Sequence, residues 1–179
     1  MNKDIKKVLY SEDEIKNVIT IMGNKINSDY KEGSPLVIGI LNGVAPFMVN
    51  LINRIDIPIN IDFIKVKSYA GTESTGDVKI IGHVPDVSGR DIILCDDILD
   101  TGFTISEIKK LFLNNGAKSI KIAVLLNKIG RRKVDIEADY KGFDIPNEFV
   151  VGFGLDYNEY YRNLPYIGVL KEEVYSNKE

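Results

Sequence analysis

Apolar residues recur along this chain at two different periods, and the period switches repeatedly. Ile15, Val18, Ile19, Met22 and Ile26 fall three or four positions apart, the spacing of one helix face. Ser11-Glu12-Asp13-Glu14 stands before them as a capping box, in which the serine oxygen takes a backbone N–H and Glu14 reaches back. A helix is therefore expected to about Tyr30, where Gly33-Ser34-Pro35 breaks it. Leu36 to Leu41 is a short apolar run that reads as a buried strand, and Asn42-Gly43 turns the chain. From about Ala45 to Arg54 a second helix would turn Phe47, Met48, Leu51 and Ile52 inward. Ile59 to Val66 alternates as a strand should. The stretch from Ser68 to Gly76, SYAGTESTG, has no apolar stripe and reads as a loop, with Val78 to Ile81 pairing back across it. A strand over Ile92 to Cys95 follows, then a helix from about Phe103 to Asn115 closed by Asn115-Gly116, then a strand over Ser119 to Leu126. Phe149 to Phe153 and Tyr166 to Leu170 are the last apolar runs, and Lys171 to Glu179 reads as a frayed polar tail.

Strands alternating with helices predict an α/β fold, with a mainly parallel twisted sheet flanked by helices. A length of 179 residues suits one domain over 1–179 with a sizeable core. In such sheets ligands collect at the carboxyl ends of the strands. Asn42-Gly43, the stretch from Asp96 to Thr104, and Lys128 all fall at such ends.

The most informative of these reads IILCDDILDTGFTI, from Ile92 to Ile105. A buried strand delivers two adjacent carboxylates, Asp96 and Asp97, to its carboxyl end. Asp100-Thr101-Gly102-Phe103-Thr104 then leads into a helix start, which leaves unpaired N–H donors and partial positive charge, suited to a phosphate. The acidic pair suits ribose hydroxyls or a Mg²⁺-bound sugar phosphate, because hard cations prefer oxygen ligands.

This stretch resembles the phosphoribosyl-pyrophosphate (PRPP) signature of the type I phosphoribosyltransferases. The resemblance implies that family's fold, with a small hood built from the N- and C-terminal segments. It also implies that Asp96 and Asp97 hold the ribose and that Asp100, Thr101, Gly102, Phe103 and Thr104 wrap the 5′-phosphate. A second stretch, FVVGFGLDYNEYYRNL from Phe149 to Leu164, is similar to the purine-site segment of the hypoxanthine-guanine branch. There the position of Phe149 stacks on the purine, and backbone carbonyls near Val150 and Asp156 face the ring edge. Asp156 would also hold Mg²⁺ through water, beside Asp96 and Asp97, and Arg162 would face pyrophosphate.

Lys128 ends a strand in LLNK, where the family's lysine donates to the 6-oxo group of the base. The family places a general base at the aspartate of the D-T-G-x-T loop, here Asp100, to take the purine proton near N7. An aspartate there can also act as a cap for the loop and helix start. Lys67-Ser68-Tyr69 resembles the mobile lid, whose Ser68-Tyr69 pair would close over PRPP and exclude water. Leu41-Asn42-Gly43 matches the pyrophosphate loop, which in the family grips through backbone N–H groups exposed by a cis peptide. Asn42 stands where many members have lysine, and Asp96 where glutamate is commoner; the shorter aspartate implies a longer or water-mediated hydroxyl contact.

The resemblance covers Val37 to Leu170 and implies a Mg²⁺-dependent purine-salvage reaction. Hypoxanthine or guanine plus PRPP would give IMP or GMP plus pyrophosphate, in a homodimer or homotetramer. Two rivals remain open. One is a nucleotide-binding regulator on the same fold that also binds RNA or DNA; the other is a transferase for xanthine, adenine or a pyrimidine.

Composition narrows the field further. Apolar content of 44% and charged content of 27% are ordinary for a globular protein, and a net charge of −3 gives no reason to expect nucleic acid. No apolar run is long enough to span a bilayer, so no membrane partner is expected. The first residues, MNKDIKKVLYSEDE, lack the apolar core of a signal peptide, and the lone Cys95 excludes an intrachain disulfide. A cytoplasmic setting is the expectation. Cys95 lies in an apolar strand and reads as a core thiol; His83, the only histidine, reads as a surface residue.

Overall fold

The structure, a computed structural model, describes residues 2–68 and 78–176. Strand β1 (Ile5–Tyr10) leads to α1 (Glu12–Asp29), β2 (Leu36–Leu41), α2 (Ala45–Ile52), β3 (Asn60–Ser68) and β4 (Val78–Ile81). Then come β5 (Asp91–Leu99), α3 (Phe103–Asn114), β6 (Ser119–Asn127), β7 (Tyr140–Asp144), β8 (Val150–Val151), β9 (Ile167–Leu170) and α4 (Glu172–Tyr175). Six strands form the central sheet in the order β4-β3-β2-β5-β6-β7, parallel except for the β3–β4 pair. The other three form an antiparallel sheet, β1-β9-β8, from the two ends of the chain: the hood.

Two-residue periodicity divides the central strands between two cores. Val37, Ile93, Cys95, Ala123 and Leu125 face Ile15, Ile19, Met22 and Ile26 of α1 and Phe47, Met48 and Leu51 of α2. Ile38, Ile92, Leu94, Ile122 and Val124 face the opposite way, onto Ile105, Ile108 and Phe112 of α3. The expected capping box starts α1: Ser11 Oγ accepts from Glu14 N at 3.4 Å and Ser11 N donates to Glu14 Oε2 at 2.8 Å. Cys95 is buried, and burial pushes its thiol pKa up, as a core thiol requires. His83 is exposed and pairs with Asp62 at 2.9 Å.

Four features differ from the sequence expectation. β5 continues past Cys95 to Leu99, so the acidic pair lies within a strand and not after it. The reason is its partner: β6 keeps pairing to Leu99↔Asn127, whereas β2 stops at Gly39↔Cys95. β1 and β7 carry no apolar signal because β1 has Lys6 and Lys7 at exposed positions and β7 is an edge strand with polar residues outward. Of the apolar run from Phe149, only Val150–Val151 is strand. The tail expected to fray folds into α4, where Lys171 N donates to Asp4 O at 2.9 Å.

Candidate active site

The sheet delivers its chemistry at the carboxyl ends of β2, β5 and β6, with the segment after β8 folded over them. Gly43, just beyond β2, lies so close to β5 that a Cβ there would overlap the Asp97 carboxylate. A Cβ on Gly154 (φ +103°) would overlap the Gly43 carbonyl oxygen. Only glycines allow this meeting of the 42–43 turn, Asp97 and the 152–162 segment. The Leu41–Asn42 peptide at this point is cis. The 152–162 segment itself holds Phe153, Asn158, Glu159 and Tyr161 at positive φ, a concentration of costly backbone that marks a functional segment. Arg162 spans it: Nη1 donates to Gly154 O at 2.8 Å and Nη2 lies 2.8 Å from Asp156 Oδ1. The other Asp156 oxygen accepts from Glu159 N at 2.9 Å.

Asp96 and Asp97 are partly buried. Burial, and then the neighbouring Asp97 charge, holds the Asp96 carboxyl well above the usual carboxylate range. Burial also raises Asp97, against the opposing pull of its hydrogen bonds and of the Arg162 charge. Two carboxylates in so dry a place call for a compensating cation or for hydroxyl donors.

A cavity of about 90 Å³ opens beside this pair, lined by Asp96, Ile98, Leu99, Asp100, Thr101, Gly102, Thr104 and Ile105. It is the cradle formed by the D-T-G-x-T turn and the start of α3. The helix N-cap is Gly102 at φ +86°, with no side-chain cap hydrogen bond. A Cβ at Gly102 would come 2.6 Å from Ile136 Cγ2 and 2.9 Å from Val134 Cγ2, so the turn is wedged from behind by the 132–136 segment. Lys133 N donates to Thr101 O at 3.0 Å and Lys128 N to Leu99 O at 2.9 Å, fixing the loop to that segment. The N-cap position of α3 is thus Gly102 and not Asp100.

A second cavity, of about 120 Å³, lies on the other side of Asp100 and is lined by Ile98, Asp100, Lys128, Arg131, Phe149, Val150 and Leu155. Asp100 lines both cavities. Its Oδ1 is buried without a hydrogen bond, with Arg131 Nε 3.3 Å away as an ion-pair partner. Lys128 is only 6% exposed, and Nζ donates to Glu148 O at 2.9 Å. Burial lowers the Lys128 pKa, while the Asp100 charge acts the other way. Phe149 is 38% exposed and forms a wall of this cavity.

This chain matches the family model described as a phosphoribosyl transferase domain over residues 5–158. It is 51% identical over 178 residues to a hypoxanthine-guanine phosphoribosyltransferase of Streptococcus agalactiae, covering 98% of this chain and 99% of that one. A hypoxanthine-guanine phosphoribosyltransferase of Streptococcus pyogenes is 52% identical over 178 residues, with the same coverage of 98% and 99%. Among solved structures, a hypoxanthine phosphoribosyltransferase of Staphylococcus aureus superposes with a TM-score of 0.94 at 51% identity, covering 99% of this chain and 97% of that one. The chain belongs to the hypoxanthine-guanine phosphoribosyltransferase family.

In this phosphoribosyltransferase most of the residues singled out in the sequence converge. Asp96, Asp100, Thr101, Gly102 and Thr104 line one cavity, with Phe103 at the first position of α3. Asp100, Lys128, Phe149 and Val150 line the other. Gly43, Asp97, Asp156 and Arg162 meet beside them, and Asn42 begins the turn. Tyr69 and the rest of the expected lid lie outside the described residues; Ser68 is described only as the end of β3. Sequence reasoning missed Arg131 and Arg132. Arg132 Nη2 donates to the buried Asn127 Oδ1 at 2.6 Å and Nη1 to Ile136 O at 2.9 Å, bracing the wedge behind Gly102. The available signal was the basic run Arg131-Arg132-Lys133, which follows Ile129-Gly130 shortly after the end of β6.

Proposed function

We propose that this phosphoribosyltransferase transfers the 5-phosphoribosyl group of PRPP to hypoxanthine or guanine in purine salvage, giving IMP or GMP and pyrophosphate. The observation that carries the reading is one cavity that holds a buried ammonium, a carboxylate and an aromatic wall, joined through Asp100 to a phosphate cradle. In the reaction the C1′–oxygen bond to pyrophosphate breaks and a bond from purine N9 to C1′ forms. The purine proton goes to the Asp100 carboxylate near N7. Residues 101–104 hold the 5′-phosphate at the start of α3. Asp96 and Asp97 accept from the ribose hydroxyls, while Asn42, Gly43 and Arg162 face the pyrophosphate. Phe149 stacks on the base, with the carbonyls of Val150 and Asp156 toward its edge. Ser68 and Tyr69 are retained as the lid that closes over PRPP.

Mg²⁺ fits the residues present. Asp96 and Asp97 are adjacent, partly buried and held up in pKa, which a hard cation relieves. Among the described residues no three acidic, cysteine or histidine side chains form a metal cage. Asp96 and Asp97 would therefore hold the ion directly, with Asp156 reaching it only through water. The ion supplies charge neutralisation for the leaving pyrophosphate. The proposal extends to a cytoplasmic homodimer or homotetramer; exposed Ile21, Val49, Ile61 and Ile81 are apolar surface that self-association would cover.

Lys128 offers a direct test. It can only donate, and one of its donors is taken by Glu148 O, which leaves others for a 6-oxo group. Lys128→Ala should raise the KM for hypoxanthine and for guanine together by roughly ten- to a hundredfold, the scale of a buried charged hydrogen bond. The KM for PRPP should stay within about twofold. Steady-state kinetics with each substrate varied in turn checks this, and an unchanged base KM would contradict the assignment.

A further inference from the structure

Residues after Leu170 read in the sequence as a polar tail, yet Tyr175 at the end of α4 lies against Phe149. Its ring stacks on Phe149 with centroids 4.9 Å apart and planes 20° from parallel. Tyr157 meets the same Phe149 ring edge-on at 5.6 Å and 89°. Phe149 stands between two cavities. One is the cavity shared with Asp100 and Lys128; the other, of about 140 Å³, is lined by Lys6, Glu148, Glu172 and Tyr175 among others. Tyr175 lines only the second, so it covers the face of Phe149 that turns away from the base cavity.

We infer that Tyr175 is a positioning residue for base binding: it backs the Phe149 ring and holds it ready to stack on the purine. Phe149 lies outside the strand β8 and is substantially exposed, so little else fixes its ring on that side. A free ring would lose rotamer entropy on each binding event; a ring already backed by Tyr175 loses less. Tyr175 is itself anchored. Its helix is tied to the chain start through Lys171 N and Asp4 O, and it packs with Val151, Tyr161, Leu164 and Leu170. Tyrosine suits the place, because it gives a large flat contact with few torsions to freeze.

The inference rests on the reading of Phe149 as the stacking wall, and the test separates the two. In the full-length enzyme, Tyr175→Ala should raise the KM for hypoxanthine by roughly three- to tenfold, the scale of one aromatic pair. The turnover number and the KM for PRPP should stay within about twofold, and Tyr175→Phe should restore the hypoxanthine KM. Melting temperatures of both variants are measured alongside. A lowered melting temperature with an unchanged hypoxanthine KM would mean a merely structural ring and overturn the inference. A lowered hypoxanthine KM would also overturn it, since Tyr175 would then be competing with the base. Phe149→Ala is the control: if it leaves the hypoxanthine KM unchanged, the stacking wall itself is wrong and the inference falls with it.

Discussion

Asp100→Asn is expected to lower turnover by roughly 10²- to 10⁴-fold, the usual contribution of a positioned general base. The change keeps the shape of the side chain and removes its ability to accept the purine proton. Three observations favour a chemical role for Asp100. It lines both the cavity at the start of α3 and the cavity with Lys128 and Phe149, so it sits between the two sites proposed for phosphate and base. Its Oδ1 is buried without a hydrogen bond, with the Arg131 guanidinium 3.3 Å away. The N-cap position of α3 is Gly102, so Asp100 is not the residue that caps that helix. PRPP affinity should change little, because the phosphate contacts proposed for residues 101–104 come from the backbone. Single-turnover kinetics beside a PRPP titration checks both halves. Near-normal turnover in the variant would mean that Asp100 only shapes the loop.

Removal of divalent metal should abolish activity and weaken PRPP binding, with recovery on adding back Mg²⁺. PRPP would bring its pyrophosphate to a site where Asp96 and Asp97 already crowd each other in a poorly hydrated place. Like charges there repel far more strongly than in water, where a pair about 4 Å apart costs about 1 kcal/mol. Arg162 does not offset this alone, because its guanidinium is already engaged by Asp156 and Gly154. Calorimetric titration of PRPP with and without Mg²⁺, paired with turnover in chelator, is the check. Full activity in chelator would contradict the metal assignment.

The parts of the fold and site that were legible in the sequence are those where one local signal decides the structure. Ser11 and Glu14 form a self-contained cap, and the apolar runs of β2, β5 and β6 are buried on both faces. The turn proposed to hold phosphate was legible because Asp100 to Thr104 are contiguous, and the resemblance to a known family supplied roles that spacing alone could not. What stayed hidden depends on partners far away in sequence. β1 exists because Ile5 to Tyr10 pair with β9, despite two lysines on the strand. The acidic pair lies inside β5 because β6 extends alongside it. Arg132 and Asn127 meet behind Gly102 through a turn that carries no periodic pattern. Tyr175 reaches Phe149 because α4 is tied to the chain start at Lys171 and Asp4, a contact far apart in sequence.

The identity of the base tests the central claim most directly. Lys128 is a donor, so it favours the 6-oxo group of hypoxanthine, guanine and xanthine. Adenine would set the ammonium against another donor, and a buried unpaired group costs about 1–3 kcal/mol, more when charged. At C2 the readers proposed are backbone carbonyls near Val150 and Asp156, which accept from the amino group of guanine, tolerate the bare carbon of hypoxanthine and repel the oxygen of xanthine. The decisive measurement is nucleotide formation from PRPP and Mg²⁺ with each base offered separately and products resolved by chromatography. IMP and GMP should form readily, the xanthine product slowly, and no AMP or pyrimidine nucleotide should appear; a preference for adenine or a pyrimidine would contradict the function proposed here.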